Sequence, residues 1–238
     1  MPFQPLTAAP SERTVDASER RALVAYRLAN ALSYVLNPLV LPPLGFGLIG
    51  WHFGAGPIEI AWVVGLSLTF FCLVPLAYIL WLLWRGEIET LEVRDRERRL
   101  KPFLVGIGSY AVGIGALAVV TETAEPLILS LALLYPLNTA VIVLINLRWK
   151  ISVHMTSMAG FVAVLLFVAL TVWEALPEPA EMALEVATVA PLVLLLPLLM
   201  WARVRVGAHT PGQVVAGTLF GFFMPLVELA VVVRALGL

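Results

Sequence analysis

Charge is what this chain has least of. Asp, Glu, Lys and Arg make up 13% of its 238 residues, while 61% are hydrophobic. A soluble domain is about a quarter charged and about half apolar. With a mean hydropathy of +0.95, the chain lacks the polar surface to cover a globule, so lipid must be its solvent. Cysteine is nearly missing: Cys72 is the only one, inside an apolar run, which excludes an intramolecular disulfide and a cysteine-based metal site. Aspartate is scarce too, with only Asp16 and Asp95. That argues against the clustered carboxylates with which an intramembrane prenyltransferase holds magnesium. A net charge of −1 gives no reason to expect nucleic acid as a partner. Residues 1–20 contain no apolar core, so they do not read as a secretory signal peptide; they are expected to form a flexible cytoplasmic tail ahead of a transmembrane domain over 21–238.

Apolar runs are what the chain has in quantity. A membrane-spanning helix needs about 20 mostly apolar residues. Seven runs qualify: 29–53, 58–84, 102–121, 126–147, 155–173, 183–202 and 212–235. The expected fold is an all-α integral membrane protein, a polytopic bundle of about seven transmembrane helices, with six as the alternative count. Asn37-Pro38 and Pro42-Pro43 should kink or break the first run, and Pro191 and Pro197 the sixth.

Basic residues are unevenly placed. Arg13, Arg20, Arg21 and Arg27 precede the first span, Arg85, Arg94, Arg96, Arg98, Arg99 and Lys101 lie between spans two and three, Arg148 and Lys150 between four and five, and Arg203 and Arg205 between six and seven. With seven spans these all share one side, and of 15 basic residues only Arg234 lies near the other. The positive-inside rule makes the crowded side cytoplasmic. A multi-pass protein of the inner (cytoplasmic) membrane, N-terminus inside, is expected.

Three segments on that side could carry chemistry: Arg94 to Pro102, Lys150 to His154, and Arg203 to Pro211. Each stands at a helix entrance. Thr210-Pro211 reads as an N-cap and first helical position, and Ser152 is placed to cap span five. Free N–H groups and partial positive charge at helix N-termini suit phosphate. Taken singly, each piece has a plainer reading: a basic loop meets anionic lipid, interfacial histidines such as His52 hydrogen-bond, and helix-end arginines snorkel. Arg-x5-His and Ser-x-His on one side of the membrane are harder to dismiss together.

These segments resemble the type 2 phosphatidic acid phosphatase superfamily, which includes lipid phosphatases and vanadium haloperoxidases. Its motifs are K-x6-R-P, P-S-G-H and S-R-x5-H-x3-D. The chain has Arg94-x6-Lys101-Pro102 with the basic types exchanged, Ile151-Ser152-Val153-His154 without the Pro and Gly, and Ala202-Arg203-x5-His209-x3-Gln213 without the Ser and Asp. The likeness covers roughly residues 90–220 and is closest to a divergent bacterial branch of small membrane proteins.

The resemblance implies hydrolysis of a phospholipid or isoprenoid phosphate without metal or cofactor, through a phosphohistidine. His209 would be the nucleophile and His154 the general acid. Arg94, Lys101, Arg203 and the Ser152 hydroxyl would hold the phosphoryl oxygens, and Gln213 would orient His209. An amide fixes a tautomer but supplies no charge; in a serine protease triad that exchange costs about 10⁴ in rate. Asp95 or Glu97 is a candidate substitute, each with salt bridging to adjacent arginines as its plainer role. The competing reading is a non-catalytic lipid-binding protein, or a structural subunit of a larger membrane complex. A transporter would rest on Glu228 alone. Gly217 and Gly221 allow close helix approach, most simply within the chain itself.

Overall fold

The computed structural model describes residues 17–93, 95–122, 125–173 and 179–236. Among these every regular element is a helix, without strands. Helices α1 (Ala17–Val35) and α2 (Leu41–His52) form one passage, interrupted by a 3₁₀ turn over Pro38–Val40. The break lies where the prolines predict it, and Asn37 caps the turn by accepting the Leu39 N–H at 3.0 Å. α1 begins at Ala17, inside the stretch expected as tail; residues 1–16 lie outside the described residues. α3 (Pro57–Ser67) and α4 (Val74–Trp84) form a second passage, followed by α5 (Leu100–Val120), α6 (Glu125–Asn146), α7 (Val153–Trp173), α8 (Pro179–Arg205) and α9 (Pro211–Leu236).

Five stretches among the described residues are long and apolar enough to cross a membrane: Ala17–His52, Pro57–Trp84, Glu97–Val120, Pro126–Asn146 and Pro211–Val232. The other two expected spans coincide with α7 and α8, and the apolar described part of α7 is Val153–Val168. α8 stays helical through Pro191 and Pro197, so the break expected there is not seen.

The passage from α3 to α4 widens into a π turn over Leu68–Leu73, and the sequence supplies the cause. Pro75 has no N–H and its ring crowds the preceding turn. The Val74 N–H therefore bonds to the Thr69 carbonyl, five residues back. Phe70 O then has no helical donor, since the next N–H in line would belong to Pro75. Ser109 of α5 donates its hydroxyl to that carbonyl at 2.5 Å, meeting the rule that backbone groups in lipid be satisfied internally.

Two apolar clusters fill the bundle. One joins α2, the α3–α4 passage, α5 and α6 through Phe46, Phe71, Leu117 and Leu131; the other joins α7, α8 and α9 through Met155, Met158, Leu199 and Val214. The tightest crossing is that of α7 and α9. A Cβ on Gly221 would sit 2.1 Å from the Thr156 carbonyl oxygen, and one on Gly217 would sit 2.7 Å from that of Ser152. The small residues thus serve packing within the chain, and they set α9 directly against the first turns of α7.

Gly221→Ala should therefore force α7 and α9 apart and destabilise the protein by about 1–3 kcal/mol or more. Gly115→Ala on α5, where nothing lies within 4 Å, should be neutral or stabilise by up to about 1 kcal/mol. Thermal unfolding of the two variants in detergent, followed by circular dichroism, gives the comparison.

Candidate functional site

The site begins where α8 ends. Arg205 closes the helix, and Gly207, with φ +69°, turns the chain in the left-handed conformation that glycine tolerates. The turn folds back so that the Ala208 and His209 N–H groups both bond to the Arg203 carbonyl, at 3.2 and 3.3 Å. Lys150 Nζ holds the same turn by donating to the Ala208 carbonyl at 2.8 Å. The Arg203-x5-His209 spacing is thus a helix end, a glycine turn and the entrance of the next helix.

That entrance is a capping box. The Gln213 N–H bonds to Thr210 Oγ1 at 3.4 Å, and Gln213 Oε1 accepts the Thr210 N–H at 3.3 Å. The same Oε1 lies 3.1 Å from His209 Nδ1. An oxygen already accepting a backbone N–H is fixed as the acceptor, so Nδ1 carries the ring proton. The Nε2 lone pair is left free.

His209 is 7% exposed. Burial, then the nearby charges of Lys150, Arg99 and Arg203, push its pKa from 6.5 down to about 3, against a small opposing effect of Gln213. The ring is neutral wherever the protein is folded near pH 7.

Across from it stands the first turn of α7. Ser152 occupies the N-cap position, its carbonyl accepting the Thr156 N–H at 2.9 Å. Its hydroxyl does not cap. It is buried with no hydrogen-bond partner, as is Arg203 Nε. His154, two residues on, hydrogen-bonds to the Ser33 backbone and lies in the field of Arg203, Glu92 and Arg99.

Arg203 is 1% exposed. Its fork grips Glu92 with both arms, Nη1 to Oε1 at 2.5 Å and Nη2 to Oε2 at 3.0 Å. Arg99, also buried, donates from Nε to the Val93 carbonyl at 2.8 Å and from Nη1 to the Ile151 carbonyl at 3.4 Å. It ties the loop after α4 to the loop before α7. The three loops expected on one side of the membrane do meet at one end of the bundle.

Below these groups a cavity of about 270 Å³ opens into the bundle. Its lining includes Glu92, Arg99, His154, Arg203 and His209, together with apolar side chains such as Phe46, Phe71 and Leu131. Phe71 stacks on Tyr110, centroids 5.0 Å apart, and meets Tyr135 edge-on at 5.3 Å. A lining that combines charged and apolar side chains suits an amphiphile with an anionic head.

The structure brings His154, Arg203 and His209 to this cavity, with Gln213 directly behind His209. Ser152 is enclosed behind the wall against Gly217. Lys101 is exposed on α5 and does not reach the cavity, because it lies off the helix face that does. Arg99 takes the place expected of it. Arg94 lies outside the described residues. Asp95 bonds to Arg98 at 3.3 Å and Glu97 lies off the cavity wall, so neither substitutes for the missing carboxylate. The residues that sequence reasoning missed are Arg99 and Glu92. The first was findable: Arg99, Phe103, Gly106 and Tyr110 recur at helical spacing on one face. Glu92 sits in a turn, where no period exists to mark it.

Among the described residues no three His, Cys, Asp or Glu side chains gather as a metal site. No protein-family model, curated protein or solved structure matches the chain.

Three outcomes follow. Arg203→Leu, which leaves Glu92 without its guanidinium, should cost about 3–5 kcal/mol. Glu87→Ala, which removes the exposed Arg85–Glu87 pair at 3.0 Å, should cost about 0–1 kcal/mol; denaturant titration in mixed micelles checks both. Histidine ¹⁵N spectra should show His209 as the neutral Nδ1–H form from pH 8 down to pH 5, since its lowered pKa of about 3 moves protonation below that window. His209→Gln assigns the signal.

Proposed function

We propose that this chain is a membrane-embedded phosphatase that hydrolyses a lipid phosphate or prenyl pyrophosphate through a phosphohistidine. The observation that carries the reading is His209: a neutral imidazole with Nε2 free, held by Gln213 beside buried guanidinium groups, on one cavity with a second histidine. Phosphoryl transfer is catalysed mainly by positioning and by stabilising charge on the equatorial oxygens. The positive charges around His209 lower its pKa and keep its lone pair unprotonated, while they disfavour the positive charge that the attacking ring acquires and that an orienting carboxylate would stabilise.

In the proposed step the anionic substrate offsets the charge of Arg99 and Arg203 and a solvent proton is taken up on His154; His209 Nε2 then attacks phosphorus while the ester P–O bond breaks and the leaving oxygen takes that proton from His154. Water then attacks the phosphohistidine, giving its proton to His154, and the N–P bond breaks to release phosphate. Arg99 and Arg203 hold the phosphoryl oxygens, with Ser152 close behind. The tail lies along the apolar side chains of Phe46, Phe71 and Leu131. By the positive-inside rule the site faces the cytoplasm of the inner membrane.

The second reading, a lipid-binding protein or complex subunit without catalysis, is favoured by one observation: the Arg203 fork is already occupied by Glu92.

Purified protein should release phosphate from phosphatidate or prenyl pyrophosphate in the presence of chelator, and His209→Ala should lower the rate at least about 10³-fold. Gln213→Glu restores a charged partner for Nδ1–H and should raise kcat about tenfold or more. Release by His209→Ala at the wild-type rate would sink the phosphohistidine. No release by any form would leave the binding reading standing.

A further inference from the structure

Glu92 and a phosphate would compete for the same donors. A carboxylate and a phosphoryl group both present a pair of oxygens to the Arg fork. Here both Nη atoms of Arg203 donate to Glu92, and the third nitrogen of that guanidinium, Nε, is buried without a partner. A phosphate could not share the fork with Glu92, because two anions side by side in a low-dielectric pocket repel strongly. Resting on the reading of this cavity as a phosphate site, we infer that Glu92 is a tethered anion standing in the ligand's position, and that a phosphoryl group enters by displacing the turn that carries it.

The turn is built to be displaced. Glu92 is the more exposed partner, its side chain 16% exposed against 2% for Arg203. It lies outside any helix, between α4 and α5. The next residue, Val93, has φ +43°, a conformation that β-branched side chains avoid. That backbone is held by the Arg99 bond to the Val93 carbonyl and by the Val93 N–H bond to Thr90 O at 3.1 Å. Releasing Glu92 lets Val93 leave the left-handed region. Ile88 and Val93 both pack with Leu82 under the loop, so Ile88 fixes its base while displacement draws the Val93 side chain out of that cluster. Once Glu92 has moved, Arg203 loses its carboxylate and Arg99 keeps only the field of Asp95, which leaves net positive charge for a phosphate dianion.

Isothermal titration of the full-length protein in detergent tests this, with inorganic phosphate in one arm and dioctanoyl phosphatidate in the other. Glu92→Gln should bind at least about tenfold more tightly than wild type, a difference of about 1.4 kcal/mol, and Arg203→Gln should bind neither. A gain in one arm alone names the source of the phosphoryl group and supports the displacement; equal or weaker binding in both overturns it. Because Glu92→Gln could lose stability by leaving Arg203 short of charge, the wild type supplies a second readout. Saturating ligand should speed hydrogen exchange of the Val93 amide about threefold or more as its bond to Thr90 opens; unchanged exchange overturns the displacement. Tighter binding by Glu92→Gln without phosphate release from any form would keep the tethered anion and discard the phosphatase. Release by wild type with no gain in Glu92→Gln would do the reverse.

Discussion

A guanidinium buried to 1% exposure among apolar helices has to be supplied with a counter-charge and with acceptors, because an isolated ion in such surroundings costs several kcal/mol. Arg203 meets that demand by drawing Glu92 over the end of the bundle, and much else follows from it. The loop after α4 is folded inward, its Val93 carbonyl comes within reach of Arg99, and Arg99 in turn reaches Ile151. The α8 terminus that carries Arg203 is fixed on the other side, and with it the glycine turn that delivers His209. One buried charge thereby organises three loops that are far apart in the chain.

The helix crossing beneath supplies the rigidity. In lipid no hydrophobic force drives one apolar helix onto another, so close backbone packing at small residues takes its place. Gly217 and Gly221 let α9 lie against the carbonyls of Ser152 and Thr156. The entrances of α7 and α9 are then adjacent by construction, and the residues just ahead of or just inside those entrances, His209 and His154, share a cavity. The capping box at Thr210 adds the last constraint, since the amide that closes the helix end also sets the histidine's tautomer.

Most of the fold was legible in the sequence because lipid imposes one pattern: long apolar runs, broken by charge. The Asn37-Pro38 break and the convergence of three basic loops could be read from spacing alone. Pro191 and Pro197 do not break α8, which continues through both; a helix within a bundle tolerates proline when neighbours satisfy the freed carbonyls. His154, Arg203, His209 and Gln213 were picked out by local motifs, and the structure places the first three on one cavity and the fourth against His209. Lys101 was chosen by its place beside Pro102, where helical phase selects Arg99 instead. Glu92 was invisible, because its partner lies 111 residues away and nothing in a turn's sequence records a distant contact.

The π turn has a consequence of a different kind. It exists because Pro75 cannot donate, and it is tolerated because Ser109 takes the carbonyl it exposes. Gly113, one turn further along α5, leaves the space into which Phe70 and Phe71 bulge; a Cβ there would come 2.7 Å from each. Five residues on two passages therefore describe a single irregularity. They form one heritable unit: a lineage that lost Pro75 could straighten the helix, and Ser109 and Gly113 would then be free to drift, whereas either change made first would strand a carbonyl or collide with a ring. The order in which those positions can be altered is written into the geometry of one turn.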